Sequence, residues 1–277
     1  MTLSARPAYR KSPIAIHSKA LPTDISKSMK VSIITITYNA ARTLQRTLDS
    51  VERQSYPDIE HLIIDGASKD DTLPMARRYQ QHSRHDVVIQ SEPDRGLYDA
   101  MNKGLQRATG DYLVFINAGD TLYADNTIET VVKASNGNRP AVIYGDTAIT
   151  DGEGHFLHLR RHRPPETLSW RSFRQGMLVC HQAFYVRTDI ARGIPYNLNY
   201  RHSADVDWCI RVMKEAERLL LPLVNTHAVL ANFEDGGDTT QHHQASLRER
   251  FQVMSCHYGL FQTLLLHVWF VFRAIIK

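Results

Sequence analysis

The feature that most constrains this chain is an alternation. Short β-branched runs alternate with helical patterns, and each run ends on polar residues. Val31 to Thr37 (VSIITIT) is a continuous apolar run of the kind found in strands buried on both faces. Tyr38-Asn39 breaks it. Residues 41 to 53 carry Leu44, Leu48 and Val51 at helical spacing and read as an amphipathic helix. Pro57-Asp58 marks a turn, and Glu60 to Asp65 (EHLIID) reads as a second strand that ends at Gly66-Ala67-Ser68. Asp70 and Asp71 open a second helix, where acidic side chains suit the positive end of the dipole. Asp86 to Gln90 is a third strand and Leu97 to Ala108 a third helix. Asp111 to Ile116 is a fourth strand, ending at Asn117-Ala118-Gly119-Asp120.

Four strands alternating with helices predict an α/β fold. It should be a Rossmann-like, mostly parallel central sheet with right-handed crossovers, flanked by helices. Ligands of such sheets bind at the carboxyl ends of the strands. The polar residues fall there: Tyr38 and Asn39, Asp65 and Gly66, Asp94 and Arg95, and Asp120. Beyond residue 140 the alternation loosens. Residues 141 to 149, 156 to 161 and 181 to 187 suggest strands of a more antiparallel region. Ser203 to Glu217 reads as a helix with Val206, Ile210 and Met213 on one face, and 219 to 224 and 228 to 233 as two late short strands.

A chain of 277 residues suits one large α/β domain with appendages. The formal charge of +4 suits acidic small substrates or an anionic membrane surface and does not call for nucleic acid. Cys180, Cys209 and Cys256 are far apart and odd in number, which argues against a disulfide framework or zinc site and for a reducing cytosol. Residues 1–28 read as a disordered basic arm without a secretory signal, and Met29 is a candidate true start. Residues 29–235 form the expected catalytic domain, and 236–277 a helical segment. Gly259 to Ile276 is very apolar but marginal for a span. It suits a helix lying in a membrane interface, with Trp269, Phe270, Phe272, Arg273 and Lys277 as anchors, or else a last core helix or oligomer contact.

A transfer that expels a diphosphate must offset the charge of the leaving group and remove a proton from the incoming hydroxyl. Asp120, after a buried strand, is a candidate ligand for Mg²⁺ or Mn²⁺, with Asn117 adding an oxygen or holding it; the same residues also suit a plain turn. Asp205 and Asp207 lie two apart at a helix start and so point in different directions. Either could be a base, and either could cap the helix. Asp65 could accept hydrogen bonds from a nucleobase or ribose, or cap the next turn. Arg95, Lys103 and Arg211 could offset phosphate charge, or be solvated surface. His181-Gln182 could contact ligand or acceptor, or be structural.

Taken together these residues resemble the family 2 glycosyltransferases, which share the GT-A fold, over roughly residues 30 to 235. The segments that carry the resemblance are VSIITITYN (31 to 39), IIDGAS (63 to 68) with Asp70, and SEPDRGLYDAMNKG (91 to 104). The last of these, with His181-Gln182-Ala183, Ser203-Ala204-Asp205 and Gly236-Gly237-Asp238-Thr239-Thr240, is similar to the subgroup that builds bacterial O-antigen, colanic acid and related exopolysaccharides. The resemblance implies that Thr37, Tyr38 and Asp65 line the nucleoside pocket, with Asn39 a further donor-binding candidate. It implies that Asp94, Arg95 and Asn102 border the donor, and that Asn117 to Asp120 replaces the Asp-x-Asp metal motif. Asp205 matches the second acid of the Glu-Asp base motif, which favours it over Asp207. Asn117 and Gly119 stand where acids are usual, so Asp120 is the one charged ligand left in the motif. Ala204 replaces the usual Glu.

The expectation is therefore an inverting transferase that uses a UDP- or GDP-sugar and Mg²⁺ or Mn²⁺. Its acceptor would be a saccharide or lipid-linked saccharide at the inner face of the cytoplasmic membrane. A sugar-1-phosphate nucleotidyltransferase is the rival enzyme, but Thr37 to Arg42 has no glycine to cradle a triphosphate. A degenerate scaffold subunit is the non-enzymatic rival.

Overall fold

The computed structural model describes residues 28–235 and 243–275. The basic arm, the 236–240 motif and Lys277 lie outside the described residues, and so do the side chains from Trp269 onward. Strand β1 (Val31–Thr37) runs between β2 (Ile59–Asp65) and β4 (Tyr112–Phe115), parallel to both, and β3 (Asp86–Ser91) continues the parallel order beyond β2. Every residue of β1 and β2 is buried, as their apolar runs require. Helices α1 (Ala41–Glu52) and α2 (Thr72–His82) cover one face, where Leu44, Leu48 and Ala76 cluster with Ile63. On the main core side, α3 (Leu97–Arg107) packs so closely that Gly104 meets Ile34 and Ile64.

The remaining strands are β5 (Thr121–Leu122), β6 (Val142–Thr150), β7 (Phe156–Leu159), β8 (Phe184–Arg187) and β9 (Leu223–Glu234). They extend the sheet to the order β3-β2-β1-β4-β8-β6-β9-β5, with β7 beside β6. Here the sheet is mixed rather than mostly parallel. β8 is antiparallel to both β4 and β6, whereas β6 and β9 are parallel. Two expected boundaries also change. Residues 181 to 183 form a 3-10 turn and only 184 to 187 enter the sheet. The two late strands are one, β9, because an irregularity absorbs the interruption: His227 adopts φ 56° and the register against β6 shifts there. Helices α4 (Thr127–Ser135) and α5 (Thr188–Arg192) were not evident in the sequence pattern.

Helix α6 (Ala204–Arg218) docks through an aromatic stack. Tyr98 of α3 stacks on Tyr196 at 5.6 Å, and Tyr196 on Trp208 of α6 at 4.8 Å. Phe115 of β4 meets Trp208 edge-on, and the Trp208 indole N–H donates to Ile194 O at 2.7 Å. Two further helices follow, α7 (His243–Tyr258) and α8 (Leu260–Ile275). No helix among the described residues is long and apolar enough to cross a membrane. Helix α8 nonetheless exposes Leu260, Phe261, Leu264, Leu265 and Val268.

One buried polar chain ties β1 to its neighbours. The Thr35 hydroxyl donates to Ile116 O at 2.8 Å, so it must accept from His61 Nε2, 2.9 Å away. The proton is thereby assigned to Nε2, which leaves Nδ1 to accept from the Tyr79 hydroxyl at 3.1 Å. His61 is fully buried and neutral, and burial, with a smaller contribution from His85, pushes its pKa down to about 3. Because the folded value lies below the unfolded one, its stabilisation is complete above about pH 6.5 and is lost as pH falls toward 3. Lowering pH from 7 to 5 should cost about 2 kcal/mol through this group. Urea unfolding at both pH values, comparing wild type with His61→Gln, should show a smaller pH effect in the variant; an equal loss in both would refute it.

Candidate active site

The carboxyl ends of β1 and β2 build a first polar cluster. Thr37 donates to Asp65 Oδ1 at 3.1 Å, and the Ser68 N–H and Ser91 hydroxyl reach Asp65 Oδ2 at 3.0 and 2.6 Å. The Ser68 hydroxyl also bonds Oδ1, so Asp65, only 1% exposed, is held in one orientation. Asn39 takes a left-handed conformation (φ 47°) and accepts the Lys69 N–H at 2.9 Å, which folds the loop after β1 over the one after β2. Tyr38 is left 64% exposed at the rim. Gly66 leaves space there that Asp94 takes: a Cβ on Gly66 would lie 2.4 Å from Asp94 Oδ2. Thr37, Tyr38, Asn39, Asp65 and Asp94 thus gather at the ends of β1 and β2.

The second cluster surrounds Asp205, in the first turn of α6. Tyr98 donates its hydroxyl to Asp205 Oδ1 at 3.3 Å, and His181 Nδ1 lies 3.5 Å from Oδ2. His181 Nε2 in turn lies 3.5 Å from the Asn117 amide nitrogen. Asp205 keeps 19% of its side chain open to solvent. Burial pushes its pKa up, but the His181 hydrogen bond and charge, the Val206 N–H and the charge of Arg250 more than offset this and hold the carboxyl below its usual range. Asp205 is thus a partly open, ionised carboxylate. Tyr98 was not evident as a site residue; its signal is its place in the first turn of α3, within SEPDRGLYDAMNKG.

The third cluster lies below β4. Asp120 is 6% exposed, accepts the Gln182 amide at 2.8 Å and the Glu234 N–H at 3.2 Å, and burial pushes its carboxyl up to about 6. Its loop is fixed by Thr47 of α1, which accepts from the Gly119 N–H at 3.0 Å and donates to Asp120 O at 2.7 Å. Gly119 sits at φ 108°, and a Cβ there would meet Glu234 Oε2, which is ion-paired with Arg46. This is the physical reason that no acid stands at 119. Among the described residues no three His, Cys, Asp or Glu side chains are grouped to hold a metal. Asn117 Oδ1, however, is buried without a hydrogen-bond partner, so one oxygen of this loop is uncommitted.

One expected site residue stands at the wall of a cavity beside Tyr98, and two are committed to structural contacts. Arg95, with 79% of its side chain exposed, turns to Asp99. Asn102 clamps the Tyr196 backbone, donating to its O at 3.0 Å and accepting its N–H at 2.7 Å. Asp207 points away from Asp205, as two-residue spacing dictates, and accepts from Arg211 at 2.7 Å and His257 at 2.8 Å. An adjoining cavity of ≈ 460 Å³ shares the Tyr98 wall and is lined also by Leu198, Tyr200 and Arg201.

Burial opposes ionisation of Asp207, but its bonds to His257 and Arg211 prevail and hold the pKa down, so it is a buried charged anchor between α6 and α7. Asp207→Ala takes the counter-ion from partly buried Arg211 and the Nε2 partner from His257, and should cost about 3 kcal/mol of stability. A chemical denaturation curve within about 1 kcal/mol of wild type would show that the anchor is not structural.

Comparison with known proteins bears on the family and the fold. The model of the family described as Glycosyl transferase family 2 matches residues 32–194. A PGL/p-HBAD biosynthesis glycosyltransferase of Mycobacterium bovis is 33% identical over 211 residues, 74% of this chain and 77% of that protein. The amylovoran biosynthesis glycosyltransferase AmsB of Erwinia amylovora is 26% identical over 215 residues, covering 73% and 71%. Among solved structures, S. aureus TarS 1–349 in complex with UDP-GlcNAc superposes with a TM-score of 0.65 at 16% identity, over 82% of this chain and 65% of that one. This chain spans 40% of another solved TarS chain. The mannosyltransferase PcManGT from Pyrobaculum calidifontis, with GDP-Man and Mn²⁺, gives 0.63 at 16% identity, over 87% and 71%. The matched residues take in the ends of β1, β2 and β4 and both Tyr98 and His181, and the chain belongs to the family 2 glycosyltransferases, built on a GT-A-like α/β fold.

Proposed function

We propose that this transferase moves a sugar from a UDP- or GDP-linked donor onto an acceptor hydroxyl, inverting the anomeric carbon. The observation that carries the reading is Asp205: one ionised, partly open carboxylate, oriented by Tyr98 and His181. The acceptor O–H gives its proton to Asp205 while its oxygen bonds to the anomeric carbon. The bond from that carbon to the diphosphate oxygen breaks, and its electron pair leaves with the nucleoside diphosphate. One base and no second carboxylate nucleophile suit a single displacement. The Thr37–Asp65–Asp94 cluster is the donor side, in keeping with ligand binding at strand ends. The solved neighbours are complexes with UDP-GlcNAc and GDP-Man. The cavity beyond Tyr98 is the acceptor side.

Mg²⁺ or Mn²⁺ fits this reading. Asp120 and the uncommitted Asn117 Oδ1 would hold it, with donor phosphates supplying further oxygens. When bound, the cation offsets the charge of the leaving diphosphate. The relatives named for amylovoran and PGL/p-HBAD biosynthesis support a saccharide or lipid-linked saccharide acceptor. The exposed apolar side chains of α8 support peripheral contact with the inner face of the cytoplasmic membrane.

Two measurements test the proposal. UDP- and GDP-sugars should be screened for slow hydrolysis with Mn²⁺ or EDTA; Asp205→Asn should lower the rate by about a hundredfold or more. Wild-type rates in that variant would remove Asp205 as base. Flotation with vesicles containing anionic lipid should retain the wild type and release a Phe261→Asp, Leu265→Asp double variant. Equal flotation of both would take α8 out of the membrane contact.

A further inference from the structure

Helix α7 turns a continuous stripe toward the body of the protein. Ser246, Val253 and Met254 are buried on it. Glu249 accepts the backbone N–H groups of Arg201, His202 and Ser203, the shortest at 2.7 Å. The Ser203 hydroxyl donates to Ser246 O at 3.3 Å, and His257 reaches Asp207. Arg250 follows Glu249 and lies one helical turn beyond Ser246, so this docking carries it to the turn from which Asp205 projects. Its charge is among those that act on the Asp205 carboxylate. Its Nε–H is buried and has no hydrogen-bond partner.

An unmet buried donor is unfavourable unless something arrives to meet it. A guanidinium presents a planar fork that matches phosphate oxygens. On the opposite wall, the Asn117–Asp120 loop carries one carboxylate, Asp120, and the nearby Glu234 carboxylate is paired with Arg46. Charge on a leaving diphosphate therefore calls for protein cations as well as any metal ion.

Resting on the transferase reading above, we infer that Arg250 binds the diphosphate of the nucleotide-sugar donor and offsets the charge that develops on it as the glycosidic bond breaks. Arg250 donates hydrogen bonds and keeps its proton throughout. It also gives α7 a part in the chemistry: the donor is held from the strand ends on one side and from the C-terminal helices on the other.

The test is calorimetric titration of the full chain with UDP and GDP in EDTA, with uridine and guanosine as controls that lack phosphate. Arg250→Gln should weaken the preferred nucleotide by about tenfold to a hundredfold and leave its nucleoside unchanged. Arg250→Lys keeps the charge but loses the fork, and should weaken the nucleotide several-fold. Nucleotide affinity equal to wild type in Arg250→Gln would overturn the inference; should that variant not fold, equal affinity in Arg250→Lys would do so. The titration is repeated with Mn²⁺, and wild-type protein that binds neither UDP nor GDP under either condition would instead remove the UDP- or GDP-sugar donor reading, and the role of Arg250 with it.

Discussion

Complete burial of β1 is the constraint on which the rest depends. With both faces covered, polar groups on this strand survive only where every hydrogen bond is met, as in the Thr35–His61–Tyr79 chain. All other polarity is displaced to the strand's end. The loops after β1, β2 and β4 receive it, and they converge because these strands are parallel and in register. The polar cluster at these strand ends is thus a by-product of how the core is built, and it is seated on strands buried on both faces.

The parallel half of the fold was legible because its runs are long, β-branched and separated by helical periodicity. Val31–Thr37 cannot be placed anywhere but the middle of a sheet. The second half was less so. A strand such as Phe184–Arg187 has four residues, too few for a period to declare itself, and its antiparallel pairing depends on partners more than forty residues away on either side. β9 read as two strands because the sequence shows the interruption at His227 but not the register shift that accommodates it.

Legibility of the site follows the same division. Thr37, Asp65, Asp120 and Asp205 are visible in the sequence because each sits at the edge of a regular element. Tyr98 is not, since its importance lies only in contact: it reaches a carboxylate 107 positions away. Asn102 shows the converse. It sits in a distinctive segment and looks like a ligand contact, yet both ends of its amide are spent on the Tyr196 backbone. Asp205 and Asp207 divide their tasks by helical geometry alone, one facing the cleft and the other bolting α6 to α7.

Gly119 carries a consequence for how this site can vary. Its positive φ and the closeness of Glu234 bar a side chain at that position, and Glu234 is itself committed to Arg46. The three positions lie on a loop, a strand and a helix far apart in sequence, yet sterically they form one unit. A side chain at 119 needs a strained backbone and a Glu234 carboxylate moved aside, and that movement loosens its pairing with Arg46. A change at 119 is therefore felt at 234 and 46 as well, although the three lie far apart in sequence.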